Sequence, residues 1–213
     1  MDIADIRRQY GTSELNLDQL AEHPMDQFKI WLDQAIESKL FTDPTAMNVA
    51  TVDESGMPSQ RIVLLKQYDN DGFMFYTNLK SNKAQQIKHN NQVCLHFAWL
   101  GLERQVIVKG VAEKLPLSQV TQYFLSRPKD SQLAAWASQQ SKPIAARKML
   151  EQAFSQMKNK FSAGKIPLPD FWGGYRVKPV SIEFWQGRDN RLHDRFVYQA
   201  GEKGKFTIGR LQP

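Results

Sequence analysis

Arg191, His193 and Arg195 occupy alternate positions in "NRLHDRF" (Asn190–Phe196), near the end of the chain. In an extended strand, alternate side chains point to one face. Two permanent cations and one titratable imidazole would then share a side, with Leu192, Asp194 and Phe196 on the other. Like charges at that spacing repel. Either solvent screens them on an edge strand, where basic residues discourage aggregation, or a bound anion compensates them. Both readings stand at this point.

Other stretches offer similar chemistry. "RIVLLK" sets Arg61 and Lys66 at the two ends of an apolar strand. Their odd separation predicts opposite faces, serving two different anions or simply snorkelling to solvent. In "YTNLKSNK", Ser81 is placed to cap the helix that "SNKAQQIK" opens, and helix amides beside Lys83 suit a phosphate. Capping alone explains the pattern equally well. "YFLSRPKDS" brings Tyr123, Arg127 and Ser131 to the junction of two helices separated by Pro128, as a convergence of donors or as a plain surface turn. Gln105, Gln139, Gln140, Ser141, Trp185 and Gln186 add amides, a hydroxyl and a ring of the kind that suits a planar heterocycle. Together these features describe room for two phosphates and an aromatic ring system.

Several chemistries are excluded. The chain has no G-x-G-x-x-G after a strand, no G-x-x-x-x-G-K-[ST] and no G-x-S-x-G. His23, His89, His96 and His193 lack metal-ligand spacing, and the single Cys94 cannot complete a site. Cys94 is expected to be a small buried apolar residue in a reducing, cytoplasmic setting. The net charge of +6 is scattered among apolar residues, with no run of five or six like charges, which argues against nucleic acid. No stretch is apolar for long enough to span a bilayer, and the start "MDIADIRRQYG" lacks the apolar core of a signal peptide.

The elements that must position these residues follow from periodicity. "HPMDQFKIWLDQAIESKL" (His23–Leu40) places Phe28, Trp31, Leu32, Ala35, Ile36 and Leu40 on one helical stripe. The period then shortens to two in "AMNVATVD", "SQRIVLLKQYD", "GFMFYTN", "QVCLHFAWL" and "ERQVIVKGVAEKL", most of them separated by tight turns such as "DESGMP" and "DNDG". Tight turns join antiparallel neighbours, so a meander closing towards a barrel is expected. Helices are expected in "LSQVTQYFLSR", "DSQLAAWASQQ" and "PIAARKMLEQAFSQMKNKF". The last carries an apolar stripe of Ile144, Met149, Leu150, Phe154, Met157 and Phe161. A loop "AGKIPLPDFWGG" then leads to strands in "YRVKPVSIEFWQG", "LHDRFVYQA" and "KFTIGRL". The expectation is mainly β with α: one domain, with helices around a β core.

The motifs "RIVLLK", "FYTN", "LERQV", "YFLSRPKDSQ", "FWGGYRV" and "EFWQGRDNRLHDRF" run in order over almost the whole chain, from "RRQY" to "RLQP". They resemble the pyridoxamine/pyridoxine 5′-phosphate oxidases. The resemblance implies an antiparallel FMN-binding split β-barrel spanning 1–213, with segment 1–22 as a mobile site cover. It also implies a homodimer with FMN at the subunit interface. The implied reaction is oxidation of pyridoxamine 5′-phosphate or pyridoxine 5′-phosphate to pyridoxal 5′-phosphate by O2, releasing hydrogen peroxide and, from the amine, ammonia.

Carried across residue by residue, the FMN contacts would be Arg61, Ile62, Val63, Leu64, Leu65, Lys66, Tyr76, Thr77, Lys83, Gln105, Gln140, Ser141, Trp185 and Arg195. The substrate would meet Arg7, Arg8, Gln9, Tyr10, Lys66, Tyr123, Arg127, Ser131, Arg191, Leu192 and His193, with Arg191 and His193 as the catalytic pair. No metal, nucleic acid or membrane partner is implied. Asn82 stands where the family often has Arg, which would leave Arg61, Lys83 and the helix amides to hold the FMN phosphate. Ala134 stands where Gly is common.

Overall fold

Alternation of apolar and polar residues drives the middle of the chain into strands with one dry face and one wetter face. The structure is a computed structural model that describes residues 3–5, 8–11 and 13–213. Among these it forms a nine-stranded antiparallel sheet: β1 (Ala46–Val52), β2 (Pro58–Leu64), β3 (Gln67–Asp69), β4 (Gly72–Asn78), β5 (Gln92–Trp99), β6 (Arg104–Lys114), β7 (Trp172–Gln186), β8 (Asp194–Ala200) and β9 (Phe206–Leu211). The order is β2-β1-β5-β6-β7-β4-β3, with β8 on β7 and β9 on β8. The antiparallel, curled sheet agrees with expectation, but it is not a simple meander: β1 pairs with β5 and β4 with β7, across long connections.

β7, fifteen residues long, organises the rest. One edge pairs with β6 over most of its length. The other edge pairs first with β4, from Trp172↔Asn78 to Val177↔Phe73, and then with β8, from Ser181↔Gln199 to Gln186↔Asp194. The change of partner falls at Pro179, which has no N–H to lose, and Val180, which is skipped in the register with β6 at Lys109/Gly110. The expected loop "FWGG" is in fact the start of this strand. Glycine is needed there: a Cβ on Gly173 would lie 2.9 Å from Leu79, and one on Gly174 2.7 Å from Tyr76.

Five helices flank the sheet: α1 (Pro24–Glu37), α2 (Asn82–His89), α3 (Leu117–Ser126), α4 (Lys129–Ala137) and α5 (Arg147–Lys160). α1 buries Phe28, Trp31, Leu32 and Ala35 against the dry face, whose rows run Val49–Leu95–Val108–Ile182–Tyr198 and Phe97–Val106–Phe184–Phe196. Ile36 and Leu40, expected on that stripe, are exposed. A second core gathers Met74, Val120, Phe124, Leu133 and Trp172 beneath α3 and α4. α5 begins at Arg147, so Ile144 precedes it. Phe154, Met157 and Phe161 pack on this second core, while Ile144, Met149 and Leu150 are exposed. Cys94 lies half-buried on the wetter face, where burial pushes its thiol pKa up, as suits an inert thiol. No helix among the described residues is long and apolar enough to cross a membrane.

Two strand assignments are corrected. β2 ends at Leu64, and Lys66 stands between β2 and β3, its N–H donating to Met74 O at 2.9 Å. Arg61 and Lys66 are therefore not two ends of one strand, and the parity reading lapses. Likewise β8 begins at Asp194. Arg191 closes a 3-10 turn (Asp189–Arg191) in which Asn190 and Arg191 both have left-handed backbones, φ 55° and 62°. Of the alternating triad only Arg195 is in the strand, so the three side chains do not share a strand face.

The tight fit at Gly174 predicts that Gly174→Ala, whose methyl meets Tyr76, Leu115 and Phe75 O, loses about 1–3 kcal/mol in urea unfolding. Gly56→Ala, left-handed at φ +86° but in open space, should lose only about 1 kcal/mol, from backbone strain alone. Equal losses would mean that packing at β7 is not the constraint.

Candidate functional site

The strand start that Gly173 and Gly174 permit brings Trp172 beside Tyr76 of β4 and Tyr123 of α3. Tyr76 and Tyr123 stack at 3.9 Å and 14°, and Trp172 lies parallel to Tyr76 at 5.4 Å. Arg127, at the end of α3, sits over Trp172 at 5.0 Å. These rings form part of the wall of a cavity of about 450 Å³. Its other lining residues include Ile62, Val63 and Leu64 of β2, Lys66, Thr77, Asn78, Lys83 of α2, Ala134, Ala135, Ser138 and Gln140.

Among the described residues, three cations line this cavity and no carboxylate does. Lys83 is buried, and its Nζ donates to Gln140 Oε1 at 2.9 Å, Thr77 Oγ1 at 3.2 Å and Ser81 Oγ at 3.5 Å. Burial, reinforced by the charge of Arg61, pushes its pKa down to about 8. Burial also lowers the pKa of Arg127 and raises those of Tyr76 and Tyr123. Among the described residues, Arg127 Nη1 is the buried side-chain polar atom left without a partner. A donor held that way is set for an anion. Arg61 stands behind the cavity, donating to Val49 O, Thr51 Oγ1 and Gln86 Oε1. Ser81 occupies the N-cap position of α2, but its hydroxyl lies against Lys83 instead of capping the amides.

A second cluster lies at the other end of β7. Trp185 meets His193 at 4.6 Å, and Tyr10 stands edge-on to both, at 5.9 and 5.4 Å. Gln105 pairs with Trp185 across the ladder and lies 3.2 Å from His96 Nε2. Arg195 is tied to Glu183 at 2.8 Å and to Gln212 O at 2.8 Å, so its charge is already compensated. His193 Nδ1 accepts from Arg188 N at 3.1 Å. Burial and the neighbouring Arg191 lower the His193 pKa, while Asp194 opposes them. Arg191 and Leu192 are exposed beside it.

The chain resembles known proteins over its full length. The family described as pyridoxamine 5′-phosphate oxidase matches residues 32–161, and the pyridoxine 5′-phosphate oxidase C-terminal dimerisation region matches residues 172–213. The chain is 62% identical to a pyridoxine/pyridoxamine 5′-phosphate oxidase of Hahella chejuensis and 59% identical to one of Pseudoalteromonas translucida, covering 100% of each chain in both cases. The chain belongs to the pyridoxamine 5′-phosphate oxidase family. It is therefore an oxidoreductase. Among solved structures, PhzG of Burkholderia lata, in complex with tetrahydrophenazine-1-carboxylic acid, shares the fold with a TM-score of 0.87 at 24% identity, covering 95% of this chain and 100% of that one.

The residues carried across from the family thus fall into two groups that the single chain does not bring together. Ile62, Val63, Leu64, Lys66, Tyr76, Thr77, Lys83, Tyr123, Arg127 and Gln140 line the cavity. Leu65, Ser131 and Ser141 lie around it without lining it, Ser141 Oγ accepting from Asn82 N at 3.3 Å. Tyr10, Gln105, Trp185, His193 and Arg195 form the second cluster, with Arg8 5.7 Å from the Tyr10 ring centre and Gln9 exposed beside it. Arg7 lies outside the described residues. Asn82 borders an adjoining open cleft with Asp53, Glu54 and His89. Ala134, where the family often has Gly, lines the cavity itself. Sequence reasoning missed Trp172 as a lining residue, although "FWGG" marked the close approach that places it.

Lys83 gives this site a pH signature. Its folded pKa of about 8 lies below the ordinary 10.5, so the unfolded chain binds more protons between those values and stability rises with pH there. Lys83→Met should remove that rise, so its urea midpoint should gain on wild type at pH 7 and lose the advantage by pH 10. Parallel profiles for the two proteins would show that Lys83 is not the titrating group.

Proposed function

We propose that two copies of the chain form an FMN-dependent oxidase of pyridoxamine 5′-phosphate and pyridoxine 5′-phosphate. In each site the cavity of one copy faces the Trp185–His193 cluster of the other. The observation that carries this reading is the length of β7. Trp172 and Trp185 stand at opposite ends of one strand, roughly 40 Å apart along its path at about 3.3 Å per residue. No ligand of that chemistry bridges such a span within one chain. The dimerisation region recognised in residues 172–213 carries Trp185, His193 and Arg195 of the second cluster, which supports a second copy as the source of the missing half.

The cavity fits phosphorylated ligands because three cations line it without a carboxylate, and because Arg127 Nη1 has no partner. Lys83, Thr77 and Gln140, backed by Arg61, would hold FMN, while Lys66, Tyr123 and Arg127 would hold the substrate phosphate. FMN held there would supply a two-electron acceptor that O2 reoxidises, so that the alcohol would yield pyridoxal 5′-phosphate and hydrogen peroxide, and the amine, with one water consumed, would yield ammonia as well. The chain's own residues bind and orient. His193 accepts a backbone N–H at Nδ1, so in its neutral form Nε2 carries the proton and donates. Burial and the neighbouring Arg191 lower its pKa, which favours that neutral form. Among the described residues Arg191, unlike Arg195, has no carboxylate partner, so its cation stands beside the ring. The single cysteine suits a cytoplasmic, reducing setting.

Complementation tests the shared site. Arg127→Ala damages the cavity half and His193→Ala the cluster half, so each homodimer should be nearly inactive but retain flavin absorbance bands. After subunit exchange, mixed dimers contain one intact site of two. A random mixture should recover about a quarter of wild-type activity with pyridoxine 5′-phosphate. Mixed dimers that form but recover nothing would place both halves in the same copy.

A further inference from the structure

Between β5 and β6 the chain reverses through Leu100–Leu102 into Glu103, whose backbone is left-handed at φ 56°. A charged residue is uncommon there, and this one is also buried, at 3% exposure. Its carbonyl accepts from Gly187 N at 2.7 Å and from Gln186 Nε2 at 3.3 Å, joining the turn to the C-terminal end of β7. Its carboxylate reaches a third segment, distant in sequence. It accepts from Gly11 N at 2.9 Å and pairs with Arg8 at 3.1 Å.

Tyr10 lies between those two anchored residues, and its ring stands edge-on to Trp185 and His193. Gly187 leaves room for it, since a Cβ there would come within 2.7 Å of Tyr10 Cδ1. A second carboxylate, Asp194, takes Leu15 N at 3.2 Å further along the same segment. Burying a carboxylate costs free energy unless it is paired and hydrogen-bonded. Here the pairing comes from a main-chain amide and an arginine on either side of one aromatic ring, so satisfying the charge also fixes the ring.

We propose that Glu103 is a positioning residue for the oxidase reaction. Its carboxylate fastens the Arg8–Gly11 segment so that Tyr10 walls the Trp185–His193 half of the site. This rests on the function proposed above. Glu103 does not touch substrate; it acts through Tyr10.

The test uses flavin-loaded enzyme carrying Glu103→Ala, Glu103→Gln, Tyr10→Ala and the Glu103→Ala/Tyr10→Ala pair. Glu103→Ala should raise KM for pyridoxine 5′-phosphate about tenfold with a smaller change in kcat. Glu103→Gln, which keeps an acceptor for the Gly11 amide, should recover most of the loss. The double variant should be no worse than the more impaired single, because both remove the same wall. Trypsin should cut after Arg8 several times faster in Glu103→Ala than in wild type. That readout needs no catalysis, so it reports on the anchor even if the proposed reaction fails. Should Glu103→Ala not fold, Gly187→Ala displaces Tyr10 while keeping the carboxylate, and should reproduce the rise in KM. Unchanged cleavage after Arg8, additive losses in the double variant, or equal falls in kcat without a KM change would each overturn the proposal.

Discussion

A single strand with two successive partners on one edge determines the layout of this molecule. Backbone donors and acceptors in a sheet must be paired, so a strand cannot change neighbours without leaving orphans unless the sequence provides a gap. In β7 the gap is Pro179, with no N–H, followed by the bulged Val180. N-terminal to it, β4 occupies the edge and brings α2, α3 and α4 with their cations. C-terminal to it, β8 occupies the same edge and brings the turn that holds His193. The strand therefore divides the sheet into two lobes, with the cavity in one and the Trp185–His193 cluster in the other.

The two lobes treat positive charge in opposite ways. In the C-terminal lobe three arginines are matched, Arg195 with Glu183, Arg188 with Glu14 and Arg210 with Asp194, and among the described residues Arg191 beside His193 is left without a carboxylate. In the cavity, Lys66, Lys83 and Arg127 face one another with amides and hydroxyls but no carboxylate. Burial there costs stability, as the depressed pKa of Lys83 records. A fold carries such a cost where an incoming anion offsets it, because donors already in place need no reorganisation when the ligand arrives. The overall excess of positive charge is therefore less informative than its distribution.

Local periodicity made much of the fold legible. The stripe Phe28–Trp31–Leu32–Ala35 and the alternating strands each record their own buried face, and the turns record their own reversals. The misreadings share a cause. Arg191 was placed on a strand by parity, yet parity holds only while the backbone stays extended, and two left-handed residues break it. Lys66 fails because β2 ends at Leu64 and Lys66 already leads into β3. Ile36, Leu40 and Met149 fit a helical stripe, but a stripe is buried only where another element meets it. Trp172 needed β4 and α3 to acquire a meaning. The family motifs named residues of both clusters, but that Trp172 and Trp185 lie on one unbroken strand, so that the spacing between them becomes a distance, depends on the partners β7 finds in the fold.

The face of the sheet opposite α1 ties these points together. Its middle row, Asn48–His96–Ile107–Glu183–Val197, is half-exposed and carries one charge, and Ile62 of β2 extends the row, well exposed. A sheet face left to solvent is ordinarily polar along its length, and this one interleaves its polar residues with Ile62, Ile107 and Val197. On the two-copy reading, that face is where a partner would lie, and a ligand gripped by both copies would stabilise the pair by mass action. Linkage then runs both ways: whatever the ligand adds to association, association adds to ligand affinity. A free monomer, holding a cavity of unmatched cations at one end and an aromatic cluster at the other, would hold a phosphorylated ligand only weakly. Assembly and ligand capture would therefore be one equilibrium, set by the length of one strand.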